Sequence, residues 1–102
     1  MAEFVRVAAA SDLPVGSSKE VELQGRVVAL FNVDGKIFAL EGICPHAGGP
    51  LSEGMVESGI VTCPWHGWQF HLANGQNVYN SKCTQPCYEA KIEGGEIFVS
   101  LP

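Results

Sequence analysis

An all-β fold, a small antiparallel sandwich or barrel of short strands, is what this sequence predicts. Three observations predict it. Short runs alternate apolar with polar residues, glycine-bearing dipeptides separate them, and Pro and Gly recur too often for long helices. FVRVA (4–8) and KEVEL (19–23) alternate and read as the first strands. Between them SDLP begins one helical turn, with Ser11 or Asp12 as its cap. RVVALFNV and KIFALEG flank Asp34-Gly35, a pair suited to a tight hairpin with positive φ. GIVTC (59–63) and GWQFHL (67–72) read as two further strands, the latter ending at Asn74-Gly75, a second hairpin signal. YEAKIE and EIFVSL flank Gly94-Gly95, a third.

The 102 residues suit one domain, 1–102, with a modest core. Residues from about 42 to 86 carry three loops and are expected to form a subdomain at one end. Residues 1–41 and 87–102 supply its base, and neither part is large enough to bury a core alone. With 46% hydrophobic and 17% charged residues the composition is globular. A formal charge of −5, from 11 acidic against 6 basic side chains, argues against a nucleic-acid partner, which needs a basic face. It suits a basic protein partner, and it also serves solubility. The opening MAEFVRVAAASDLPVG has no uninterrupted apolar core and does not read as a signal peptide. No apolar run approaches the roughly 20 residues of a membrane helix. The expected location is cytoplasmic, where four cysteines suggest metal or catalysis before disulfides.

Two unequal Cys/His pairs carry the chemistry. Cys44-x-His46 is followed by sixteen residues and then Cys63-x-x-His66. On ligand types alone, a tetrahedral zinc site of two Cys and two His is the first candidate. The zinc-finger order fails, because each loop gives one Cys and one His and neither His sits in a helical pattern. Mixed pairs from two loops suit a binuclear centre, with both thiolates on one iron and both imidazoles on the other.

The stretches CPHAGGPLSEG (44–54) and CPWHGWQFHLANG (63–75) resemble the Rieske [2Fe-2S] proteins. DLPVG, VALFNVDGKIFALEGICPH and YEAKIEGGEIFVSLP extend the resemblance over almost the whole chain, to a soluble Rieske-type ferredoxin. The resemblance implies a β-sandwich or barrel of Rieske type with a cluster-binding subdomain at one end. It implies one [2Fe-2S] cluster, with Cys44 and Cys63 on the buried iron and His46 and His66 on the outer one. Gly48, Gly49 and Gly67 would let backbone approach the cluster, and Pro45, Pro50 and Pro64 would stiffen the loops. Leu51, Trp65, Trp68 and Phe70 can shield the centre from water, with Phe70 and Leu72 expected in the core and Trp65 at the cluster. His71 is expected at the surface rather than as a ligand. Cys83 and Cys87, on either side of Pro86, match the family's third, proline-bearing loop and are expected as free thiols.

The respiratory and photosynthetic branch of the family carries two further cysteines and an N-terminal anchor. Gly49 and Trp65 stand in place of those cysteines, and no anchor is expected here. High-potential members hold a serine and a tyrosine where this chain has Trp68 and Phe70. The implied function is one-electron carriage from a flavin- or iron–sulfur-containing reductase to a terminal oxygenase. The chain is expected to be a carrier rather than an enzyme. The alternatives are a small Rieske-like subunit of an assimilatory nitrite reductase and a structural zinc module with no redox role.

Overall fold

The computed structural model describes residues 3–43, 50–64, 67–79 and 85–101. The expectations for Cys44, His46, Trp65, His66 and Cys83 lie outside these residues. Nine antiparallel strands form two sheets among the described residues. The larger sheet contains β1 (Glu3–Ala9), β2 (Ser18–Leu23), β3 (Arg26–Val33), β4 (Lys36–Glu41), β8 (Cys87–Glu93) and β9 (Glu96–Leu101). Its order is β1-β9-β8-β4-β3-β2, and its two edge strands approach each other into a nearly closed barrel. The smaller sheet contains β5 (Met55–Glu57), β6 (Ile60–Thr62) and β7 (Gln69–His71), in that order. The all-β expectation therefore holds, with the barrel as the larger part.

Turn chemistry explains the connections. Asp34 and Gly35 have φ of 54° and 92°, and Gly94 and Gly95 have 60° and 79°, so both expected hairpins close through positive-φ pairs. Two more such turns join β2 to β3 at Gln24-Gly25 and β5 to β6 at Ser58-Gly59. Their first residues are not Asn, Asp or Gly, so the sequence signal there is weak. The expected helical turn is a 3-10 turn over Ala10–Asp12, and Asp12 Oδ2 accepts the Ala9 N–H at 3.3 Å. Asn74-Gly75 does reverse the chain. The His71 N–H donates to Gln76 O at 2.8 Å and the Val78 N–H to Gln69 O at 3.0 Å, so residues 76–78 return along β7 as a bridged segment.

Strand β3 organises the interior. Val28 and Leu30 point into the barrel with Leu13, Leu23, Ile37, Ile97 and Val99. Ala29 and Phe31, one residue out of phase, point the other way. There they join Leu40 of β4 and meet Leu51, Val61, Phe70 and Leu72 from the smaller sheet and its flanks. A strand covered on both faces reads as a continuous apolar run, which is why RVVALFNV does not alternate. Burial of each large side chain in these cores is worth about 1.5–3 kcal/mol.

One close approach ties the smaller sheet's return segment to the start of β8. Gly75 lies at φ 74°, and a Cβ there would overlap the carbonyl oxygen of Gln85. The Gln85 N–H donates to Gly75 O at 2.7 Å, so the two backbones are held in contact. Gly75→Ala is expected to cost roughly 3 kcal/mol or more, through backbone overlap added to a left-handed φ. Gly25→Ala is expected to cost only about 1–2 kcal/mol, because its Cβ would meet open space and only φ 79° must be borne. Urea denaturation of the two variants checks the ordering; equal losses would contradict it.

Candidate metal centre

Hydrogen bonds close the necks of two loops, and Gln85, after a third segment, reaches the first of them. The first neck is at the end of β4. Ile43 and Pro50 form an antiparallel bridge, and the Leu51 N–H donates to Gly42 O at 2.9 Å. Residues 44–49, which carry Cys44 and His46, begin and end at that bridge. The second neck is the turn between β6 and β7. The Cys63 N–H donates to Trp68 O at 2.7 Å, so residues 64–67 leave and return at one point. Gly67, inside that turn, has φ 73°. The third segment, 80–84, lies between Tyr79 and Gln85, whose backbone is fixed to Gly75.

Cys63 is 1% exposed and sits in the core between the sheets with Leu40, Leu51, Phe70 and Leu72. Phe70 is 0% exposed, as expected for core, and Leu72 is buried beside it. Trp68 is half-buried and packs against this core, its ring centroid 6.4 Å from that of Phe70. His71 pairs with Ile60 and is half-buried rather than exposed. Cys87, at the start of β8, is an exposed free thiol. Of the four expected ligands only Cys63 is among the described residues, and the structure leaves the full set as an expectation.

Two groups beside the first neck escaped the sequence reading. Gln85 is a buried polar side chain whose Nε2 donates to Glu41 O at 2.7 Å and to Ile43 O at 2.6 Å. Tyr88 donates its hydroxyl to Glu41 Oε2 at 2.8 Å and accepts from Arg26 Nη1 at 3.4 Å. The Arg26 guanidinium stands 3.8 Å from the same carboxylate. Neither group belongs to a motif or a periodicity, and only their long-range partners reveal them. Burial raises the Tyr88 pKa above its ordinary value of 10.0, and its hydrogen bond to Glu41 raises it further, against a lowering by Arg26.

Among the described residues Cys63 alone of the expected ligands is seen, and its setting is compatible with an iron–sulfur centre. A buried cysteine among apolar side chains, two closed loop necks and backbone N–H groups held nearby are what a thiolate-bound cluster requires. The fold and these necks define a small all-β module of two packed sheets with closed loop necks beside a buried cysteine. The profile of the Rieske [2Fe-2S] domain family matches residues 3–91, and the chain belongs to that family. Membership implies one [2Fe-2S] cluster per chain, and the chain is a one-electron carrier of ferredoxin type.

The 3-phenylpropionate/cinnamic acid dioxygenase ferredoxin subunit of Escherichia coli (strain K12) is 36% identical over 95 residues, covering 90% of this chain and 88% of that one. A chain in the solved complex of reduced oxygenase and oxidized ferredoxin in carbazole 1,9a-dioxygenase superposes with a TM-score of 0.83 at 31% identity, covering 95% and 92%. A chain described as an NADH-dependent nitrite reductase small subunit from Mycobacterium tuberculosis superposes with a TM-score of 0.93 at 26% identity, covering 100% and 97%.

The Tyr88 hydroxyl gives a test of the first neck. The folded state holds the phenolic proton more tightly than the unfolded chain does. Its contribution to stability is therefore whole below pH 10 and is lost as pH rises above that value. Tyr88→Phe is expected to flatten the alkaline fall in stability relative to wild type. Denaturant midpoints of both proteins from pH 8 to about 11.5 measure the difference; parallel curves would contradict the assignment.

Proposed function

We propose that the chain holds its [2Fe-2S] cluster through Cys44, His46, Cys63 and His66 and passes electrons from a reductase to a terminal oxygenase. The observation that carries this reading is the convergence of both Cys/His loops on necks that share one core, with Cys63 sealed into it. The cluster supplies reversible one-electron transfer. The protein's own part is to hold ligands, exclude water and keep the loops fixed while charge changes. Leu51, Phe70 and Leu72 exclude water on the protein side. The region from about 42 to 86 acts as the cluster-bearing part of a single domain, 1–102.

The ferredoxin relatives support an oxygenase as electron acceptor, since one of them was solved with its oxygenase. A flavin- or iron–sulfur-containing reductase completes the chain of transfer. The charge of −5 suits a basic docking face on either partner. No helix among the described residues is long and apolar enough to cross a membrane. The exposed free thiol of Cys87 supports a reducing, cytoplasmic setting. A small nitrite reductase subunit is the second reading, favoured by the close overlap with the mycobacterial chain. The higher identity of the ferredoxin relatives ranks it below the first.

Cys44→Ser and Cys63→Ser are expected to abolish the cluster, because serine is a poor substitute for a soft thiolate. Loop order should fall with it, since binding energy at such sites is folding energy. Cys87→Ser is expected to leave iron, sulfide and the visible spectrum intact. Iron and sulfide analysis with spectra before and after dithionite checks all three. A Cys63→Ser protein with full iron would remove the ligand assignment, and colourless wild-type protein with zinc would replace the cluster.

The reduction potential follows from Phe70. Hydrogen bonds to cluster sulfur favour the more negative, reduced state, and Phe70 has no donor to give. The potential is expected near the lower end of the Rieske range of about −150 to +300 mV. In Phe70→Tyr a hydroxyl enters the same core as Cys63. A bond worth about 1 kcal/mol more to the reduced state raises the potential by roughly 40 mV. Redox titration of both proteins measures this; a wild-type value well above zero would refute it.

A further inference from the structure

We infer that Gln85 is a positioning residue that sets the take-off of the first Cys/His loop and thereby the retention and electronic environment of the cluster. The inference rests on the reading of Cys44 and His46 as ligands. Gln85 is 2% exposed, so its amide finds partners within the protein. Its Nε2 has two hydrogens, and both are used. One goes to Glu41 O at 2.7 Å and the other to Ile43 O at 2.6 Å. Ile43 immediately precedes Cys44, so one amide group fixes the last carbonyl before the ligand and another two residues earlier.

Those carbonyls need this partner. Strand β4 pairs with β8 through Ala39 and Leu40, and its ladder stops there. The Glu41 N–H still reaches Pro86 O at 2.8 Å and the Gly42 N–H reaches Val27 O at 2.7 Å. Past this point the chain turns away from the sheet, and a side chain from across the fold takes over the work of a strand. Gln85 is itself anchored, because its N–H donates to Gly75 O at 2.7 Å and its carbonyl lies against Gly75. The same residue thus joins the start of the 44–49 loop, the return segment after β7 and the end of 80–84. Glutamine suits the site because it offers two donors and no charge. Glutamate, of the same shape, offers none when ionised and would face two carbonyl oxygens.

Gln85→Leu and Gln85→Glu, purified with cluster, provide the test. Loss of these two buried hydrogen bonds predicts iron loss to a chelator roughly tenfold faster or more. The g values of the reduced protein's electron paramagnetic resonance spectrum should move. Amide exchange in a peptide spanning 39–51 should rise above that of wild type. In Gln85→Glu, the rate of iron loss relative to wild type at the same pH should fall as pH is lowered, because the carboxyl gains a proton and recovers one donor.

Asn32→Ala is the control. Asn32 is a buried amide that donates to Leu13 O at 2.8 Å and accepts from the Gly35 N–H at 2.9 Å, at the opposite end of the β3–β4 hairpin. It should lower stability without moving the g values. Unchanged g values and iron retention in both Gln85 variants would overturn the inference while leaving the ligand assignment intact. An equal effect from Asn32→Ala would reduce Gln85 to general stability. Should Cys44→Ser retain its iron, the ligand reading fails separately.

Discussion

Ala29, Phe31 and Leu40 on the barrel pack against Leu51, Val61, Phe70 and Leu72 on and beside the smaller sheet, and this contact gives the loop necks a common core. A sheet of three strands, each three residues long, is too small to stand alone. It exists because β3 offers it a second buried face. The barrel has its own core on the other side of the same strand. Moving β3 by one residue would exchange Ala29 and Phe31 for Val28 and Leu30 and place the wrong side chains under the loops. The placement of Cys63 and of both loop necks is therefore a consequence of strand register in the barrel.

Leu51 and Cys63, at the ends of the two Cys/His loops, are buried in the core that the sheets share. The loops also depend on hydrogen bonds at their necks: the Ile43–Pro50 bridge, the Cys63–Trp68 closure and the Gln85 clamp. Each is worth about 1 kcal/mol. A bound cluster would add its own binding energy to folding, as metal binding and folding share one free energy. Burial of Cys63 fits this division. An apolar environment disfavours a bare thiolate, so a metal bound at this sulfur would offset that cost with its positive charge.

Much of this was legible in the sequence. The positive-φ pairs Asp34-Gly35 and Gly94-Gly95 announced their hairpins, because few other residues adopt such backbone angles. The paired Cys/His loops announced a metal centre by ligand type and order. Strand β5 was not visible, since three residues, Met55–Glu57, are too few to display a period. Gln24-Gly25 and Ser58-Gly59 were hidden by atypical first residues. The two-faced burial of β3 was hidden because a continuous apolar run does not say which residue faces which core. Gln85 could not be found at all, since its role lies in partners more than 40 positions away and in no local pattern.

The same division explains why the fold alone does not fix the partner. The barrel and the small sheet need only apolar residues of suitable size in the right alternation, which many sequences provide. A dioxygenase ferredoxin and a chain described as a nitrite reductase subunit can therefore share the backbone of this protein. What differs between such proteins must lie where the backbone requirement ends, in the loops and in the charge around them. Here the loops keep two thiols and two imidazoles as a set, and the core beneath them gives a phenyl ring rather than a phenol. A [2Fe-2S] cluster held there would supply one-electron transfer, and Leu51, Phe70 and Leu72 would keep water from its protein side. That is the work of a carrier, and the residues that choose its partner are to be sought outside the alternation that the sheets require.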